Sequence, residues 1–189
     1  MIQCVFVQFS KEDDKMVKDT ILVIDVDVDG IQEIMNILSD SYRICTAGSF
    51  EDALLIIRDI IPELILIDST MSAKDGFDIL EFLKTNDKSS HIPVIFITPL
   101  DNPDFEVRAF DMGSVDYITK PFVPKVVRKR IETQIKLAKY EHKLEELVEE
   151  KVSEIEDMYD IMAISFAGLV ESRDGITGGH LKNTAIYYK

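Results

Sequence analysis

Five short runs rich in Ile, Val and Leu recur along the chain: TILVID at 20–25, YRICT at 42–46, ELILID at 63–68, IPVIFIT at 92–98 and VDYI at 115–118. Runs of this length, β-branched and bounded by turn residues, read as strands. Segments with helical spacing lie between them, at about 28–39, 49–60, 76–86 and 102–112. Ser49 stands ahead of FEDALLIIRDI as an N-cap with acids in the first turn, and Pro62 stops that helix. Strand and helix in strict alternation predict an α/β chain of (βα)5 type, a parallel sheet with helices on both faces. The first, third and fourth runs are apolar almost throughout, as strands covered on both faces must be. The common doubly wound order for five strands is 2-1-3-4-5, with ligands bound at the carboxyl ends where the first and third strands diverge. Asp25 and Asp27 end the first strand and Asp68 ends the third. That order gathers these acids in one crevice, where mutual repulsion calls for a cation.

Asp25 to Gly30 also reads D-x-D-x-D-G, the opening of a calcium-binding EF-hand loop. Such a loop needs a helix before its first position and a bidentate Glu at its twelfth. Here a strand-like TILVI precedes it and the twelfth position is Asn36. A calcium loop is therefore rejected in favour of a metal–phosphate site at a strand end, with a solvated acidic loop as the plainer alternative. A flavodoxin-type cofactor binder would need a Ser/Thr/Gly-rich phosphate loop after the first strand. DVDVDG is acidic and would repel the phosphate.

A net charge of −14 over 189 residues argues against nonspecific binding to nucleic acid or to an anionic membrane surface. No apolar run approaches the ~20 residues of a membrane span. The opening MIQCVFVQFS lacks a basic n-region and a small-residue cleavage site, so it does not read as a signal peptide. An extra strand and a frayed arm are the two readings open to it. Cys4 and Cys45 show no metal-site spacing and suit a reducing, cytoplasmic setting.

After residue 122 the character changes. From Pro124 to about Glu171 there is no strand signal and no glycine before Gly168. Leu144, Val148, Val152, Ile155, Met158, Met162, Phe166 and Leu169 follow steps of three and four, a coiled-coil stripe that Lys151 and Ser165 interrupt. A helix this long overshoots a domain of this size at about 1.5 Å per residue, which favours self-association as a homodimer over packing back on its own domain. Its first half is basic (KVVRKRIETQIKLAKYEHK) and its second acidic (LEELVEEKVSEIED).

ILVIDVD, LILIDSTMSAKDGFDIL, IPVIFIT and GSVDYITKPF, in this order over about residues 20 to 122, resemble a two-component response-regulator receiver domain of the CheY-like, flavodoxin-like type. The resemblance implies that Asp68 is the phosphoacceptor. Thr98 is then the hydroxyl that moves to the new phosphoryl group, Lys120 the lysine that pairs with it, and Tyr117 the aromatic switch residue. It also implies a cis bond at Lys120–Pro121, a third helix opened by Asp75-Gly76, and Mg²⁺ held by Asp25, Asp27, Asp68 and the backbone of Thr70. The partner implied is a sensor histidine kinase. The chemistry agrees: carboxylates form phosphoryl-enzyme species, and the transfer chiefly needs in-line positioning and cations around the phosphoryl oxygens. The plainer readings are an N-cap for Asp75, a buried strand hydroxyl for Thr98 and ordinary packing for Tyr117.

The chain departs from the family in two places. The family ends its first strand with two adjacent acids, whereas here Val26 follows Asp25; Asp27 lies on the same side of an extended strand as Asp25 and is the candidate substitute. Ser72 stands where a proline is usual. A pseudo-receiver, working as a phosphorylation-independent dimerisation or docking module, is thus the alternative.

LVESRDGITGGHLKNTAIYYK resembles the opening of an HD-GYP domain, a metal-dependent phosphodiesterase acting on cyclic di-GMP. His180 matches an early histidine of that family, while Ile176 stands where some members carry a Glu. The expected layout is an arm over 1–19, the receiver over 20–123, a linker helix over 124–170 and the start of the output domain over 171–189. The named His-Asp pair would lie further on, in a domain of roughly 100–150 residues. The receiver itself is expected to be a phosphoacceptor and not an enzyme.

Overall fold

The computed structural model describes residues 3–4, 18–71, 73–86, 89–99 and 103–173. The elements run β1 (Gln3–Cys4), β2 (Thr20–Ile24), α1 (Val28–Leu38), β3 (Arg43–Ala47), α2 (Phe50–Asp59), β4 (Leu64–Asp68), α3 (Ala73–Thr85), β5 (Val94–Thr98), α4 (Pro103–Asp111), β6 (Asp116–Thr119) and α5 (Pro124–Arg173). The sheet order is β1-β3-β2-β4-β5-β6. Its parallel part, β3-β2-β4-β5-β6, is the expected 2-1-3-4-5. The addition is β1, which pairs antiparallel with β3 and shows Gln3–Cys4 to be strand.

Side chains alternate across the sheet because successive residues of a strand face opposite ways. Leu22, Ile24, Ile65, Ile67, Val94 and Phe96 join Ala53 and Ile56 of α2, Ile79, Leu80 and Leu83 of α3, and Ala109 of α4. Ile21, Val23, Leu64, Leu66, Ile95 and Ile97 join Ile34, Ile37 and Leu38 of α1 and Val127, Ile131 and Ile135 of α5. These two layers explain why the central strands are apolar on both faces, with polar residues only at their ends. Each fully buried Ile or Leu contributes about 1.5–3 kcal/mol.

Local signals set the helix starts. Ser49 Oγ accepts from Asp52 N at 3.1 Å, the expected N-cap of α2. α3 opens at Ala73, so Asp75 and Gly76 lie in its first turn and do not precede it. Gly113 closes the turn after α4 with φ of 96°, where a side chain would be strained.

Past residue 123, where a linker helix is expected to begin, the first turns of α5 pack on the sheet. Val127, Ile131 and Ile135 of α5 are buried in the sheet's second layer. Arg128 Nε donates to Ile37 O at 2.8 Å, at the end of α1. One compact unit runs Met1–Tyr140 and a second Glu141–Lys189. The helix is unbroken, so nothing in its local sequence marks where packing against the sheet stops. In the second unit the stripe of Leu144, Val148, Ile155, Met158, Met162 and Leu169 is exposed. His180 and Ile176 lie outside the described residues. No described helix is long and apolar enough to cross a membrane.

Candidate functional site

Parallel pairing of β2 with β4 sets Ile24 beside Ile67, so Asp25 and Asp68 leave the sheet at the same end. Both carboxylates are buried, at 1% and 0% exposure. Lys120, just after β6, places Nζ 2.5 Å from Asp68 Oδ2 and 3.6 Å from Asp25 Oδ2. The Lys120–Pro121 bond is cis. Asp68 Oδ1 accepts from Thr70 N at 2.6 Å and from Thr70 Oγ1 at 2.5 Å. Asp25 Oδ1 accepts from Asp27 N at 2.8 Å, and Asp25 N donates to Ala47 O at 3.1 Å.

One lysine thus serves two buried acids, and the two titrate differently. Burial pushes the Asp68 carboxyl up, but hydrogen bonds from Lys120 and Thr70 outweigh it and hold the group below the ordinary carboxylate range. Burial raises Asp25, and the neighbouring Asp68 charge adds to that rise; the Asp27 amide and Lys120 offset it only in part. Burial alone would lower Lys120, yet the three acids around it raise it. The site therefore holds an ionised Asp68, with one lysine shared between it and a second buried carboxyl, Asp25.

Asp27 is the N-cap of α1, with its side chain accepting from Asp29 N at 3.2 Å and Gly30 N at 3.3 Å. That role satisfies amides at the helix start and favours a negative charge there. It does not remove Asp27 from the pocket. A Cβ on Gly30 would lie 3.0 Å from Asp25 Oδ2, 3.1 Å from Lys120 Nζ and 3.2 Å from Asp27 Oδ2. Glycine at residue 30 leaves the space in which these three groups converge. Val26, next in sequence to Asp25, is 59% exposed.

The remaining residues follow from the adjacent strands. Register pairs Asp68 with Ile97, so Thr98 stands one residue further along β5 at the same end, and it is buried. Tyr117 lies on β6, half-buried, its ring 6.1 Å from that of Phe110 on α4. Arg130 of α5 sits 5.6 Å over the Tyr117 ring and pairs with Asp116. Arg130 and Gly30 were not singled out from the sequence. Arg130 is hidden in a basic run that reads as a solvated face, and Gly30 reads only as the end of DVDVDG.

Among the described residues no group of three or more His, Cys, Asp or Glu side chains is arranged to hold a metal ion. Mg²⁺ asks for less: one or two carboxylates, with phosphate oxygen and water completing the shell. Asp25 and Asp68 supply that number, and two buried carboxyl groups facing a single lysine suit a further cation. The residues present therefore fit Mg²⁺.

The response regulator receiver domain family matches residues 21–132. A probable cyclic di-GMP phosphodiesterase of Vibrio cholerae is 34% identical over 177 residues, covering 90% of this chain and 40% of the relative. The phosphate regulon transcriptional regulatory protein PhoB of Pseudomonas aeruginosa is 30% identical over 64% of this chain and 53% of its own length. The chain thus spans about half, or less, of the length of these curated relatives. Among solved structures, NtrX of Brucella abortus superposes with a TM-score of 0.64 at 29% identity, over 69% of this chain and 30% of NtrX. The chemotaxis protein CheY4 of Vibrio cholerae shares the fold, with a TM-score of 0.58 at 20% identity over 62% of this chain and 98% of CheY4. With five parallel strands in the order these structures share, an acid pocket where the first and third of them end side by side and a family match over most of the compact unit, this chain belongs to the response regulator receiver domain family.

Proposed function

We propose that Asp68 accepts a phosphoryl group from the phosphohistidine of a sensor kinase. The observation that carries this reading is a buried, ionised Asp68 held by Lys120 and Thr70. An Asp68 carboxylate oxygen attacks phosphorus as the phosphorus–nitrogen bond to histidine breaks, giving an acyl phosphate. Lys120 then pairs with a phosphoryl oxygen, and Thr98 turns its hydroxyl to another. Mg²⁺, held by Asp25, Asp68 and the Thr70 backbone with Asp27 alongside, would neutralise the incoming oxygens. The phosphoryl group carries about −1.5 to −2 in place of the carboxylate's single charge, and its oxygens draw Lys120 and Thr98 inward. Tyr117, wedged between Phe110 and Arg130, connects that movement to α4 and α5.

The linker part of α5 forms a homodimer that carries the change to an output domain. The resemblance of residues 171–189 to HD-GYP proteins and the likeness to a probable cyclic di-GMP phosphodiesterase support a phosphodiesterase output.

Incubation with acetyl phosphate or phosphoramidate and Mg²⁺, followed by mass spectrometry, should place one phosphoryl group on Asp68. Labelling of Asp68→Asn at the wild-type level would overturn the assignment. No labelling of wild type, with fold and dimer intact, would favour the pseudo-receiver that Val26 suggests.

Two substitutions probe the metal reading. Val26→Asp should tighten Mg²⁺ by on the order of tenfold, read by calorimetric titration; an unchanged affinity means that Val26 is not the weak point. Gly30→Ala places a methyl group among Asp25, Asp27 and Lys120. It should weaken Mg²⁺ several-fold while changing stability by no more than about 1 kcal/mol, because alanine's helix preference offsets the crowding. Normal Mg²⁺ affinity in that variant would show that the cluster tolerates displacement.

A further inference from the structure

Several described lysines meet a carboxylate. Lys129 and Lys136 pair with Glu132, Lys139 with Asp19, Lys151 with Glu154, and Lys120 with the two acids of the pocket. Lys84, in the last turn of α3, has no carboxylate partner among the described residues. Its Nζ donates instead to Ser90 O at 2.9 Å and to Ile92 O at 3.0 Å, in the segment that leads into β5. Its stem lies along the turn after α4, where a Cβ on Gly113 would meet Cγ, Cδ and Cε of Lys84 at 3.4–3.5 Å. The side chain is half-buried, and burial pushes its ammonium below the ordinary lysine range. The two acceptors suit the neutral form. An amine can give both of its N–H bonds to the two carbonyls, which leaves its lone pair in the remaining tetrahedral direction. An ammonium keeps a third N–H there, with no described acceptor. A lysine held in this way is a better nucleophile than one paired with an acid.

We propose that Lys84, fixed between two carbonyls and the Gly113 turn, is an acylation site modified by small acyl phosphates such as acetyl phosphate. Its Nζ attacks the acyl carbon. The N–C bond forms, the C–O bond to phosphate breaks, inorganic phosphate leaves, and the surplus proton on nitrogen passes to water. The product amide has a single N–H, so it can serve Ser90 O or Ile92 O but not both. Acylation therefore loosens the tie between α3, which follows Asp68, and β5, which ends in Thr98. Asp68 takes no part in the reaction. It would attack the same reagent at phosphorus, so the two modifications differ in residue and in mass.

The test is a time course of acetyl phosphate on the 189-residue chain at neutral pH, followed by digestion and mass spectrometry. Acetylation is read at each lysine as a gain of about 42 Da, and phosphorylation as about 80 Da. Lys84 should be acetylated several-fold faster than Lys129, Lys136, Lys139 and Lys151, although all four are more exposed. Phosphoramidate, which carries a phosphoryl but no acyl group, should leave Lys84 unmodified. Lys84→Arg keeps donors for both carbonyls and the fold with them; in that variant the fast site should vanish while the other lysines react at unchanged rates. Denaturing the wild type in urea should erase the preference. Acetylation of Lys84 no faster than that of the four exposed lysines would overturn the proposal. A preference that persists in urea would overturn it equally, because local sequence and not the folded site would then set the rate.

Discussion

Replacing Lys120 with Met lowers the unfolding free energy at pH 7, without divalent cation, by about 2–4 kcal/mol. The side chain removed is the cation that faces both Asp68 and Asp25, at 2.5 and 3.6 Å, and each acid is almost wholly buried. Methionine keeps the volume of the stem but leaves the two carboxylates facing each other. The loss follows pH with a definite sign. In the wild type, Asp68 titrates below its ordinary value of 3.8, so its ionised form adds stability above that pH and loses it as pH falls through the lower folded value. Asp25 is raised, so its charge already costs stability as pH rises. Without Lys120 both acids protonate more readily, and the two proteins should converge as pH falls below the lowered folded value of Asp68. Adding Asp68→Asn to Lys120→Met should restore much of the loss, because one buried charge then disappears. Urea unfolding at several pH values checks this. Equal stability of wild type and Lys120→Met at pH 7 would mean that water already compensates the pocket.

The chain should run as a dimer over residues 1–189 and as a monomer over 1–140. A twofold ratio of masses per chain, measured by light scattering, is the expected reading. The shorter chain keeps Val127, Ile131 and Ile135, which complete the second layer of the core, so it retains its fold. It loses Leu144, Val148, Ile155, Met158, Met162 and Leu169, all of them more than two-fifths exposed. Val148, Ile155, Met162 and Leu169 recur at seven-residue spacing, and so do Leu144, Lys151, Met158 and Ser165. These are the two seam positions of a coiled coil, with Lys151 and Ser165 as polar interruptions. Lys151 pairs with Glu154 at 2.8 Å on its own helix. Such interruptions lower stability while fixing alignment. Lys151→Leu should therefore tighten the dimer and relax its register. Equal masses for the two chain lengths would remove the stripe from the account.

The sheet and its order were legible because both follow from local patterns. Apolar runs such as LVI and LILI mark strands, and strict alternation with helices leaves few topologies. The placement of Asp25, Asp68, Thr98 and Lys120 at one end follows from that order. Three things were not legible. The end of the compact unit falls inside α5, where burial changes and secondary structure does not. Gly30 matters through the space it leaves, and sequence spacing carries no sign of that. The two-residue β1 is too short for any alternation to show, and its partner strand is some forty residues away in sequence.

The two margins of the sheet bear on how the protein behaves when crowded. An open strand margin offers unpaired amide and carbonyl groups to any extended chain that drifts past. Here one margin is β1 laid over β3, and the other is β6, four residues long, with Asp116 clasped by Arg130. Among the described residues neither presents a long, flat, apolar row for a neighbour to zip onto. Recruitment through backbone pairing is therefore disfavoured, and association is left to side chains on helix surfaces. Contacts of that kind can be made and broken by a change in charge, and so remain reversible at high local concentration.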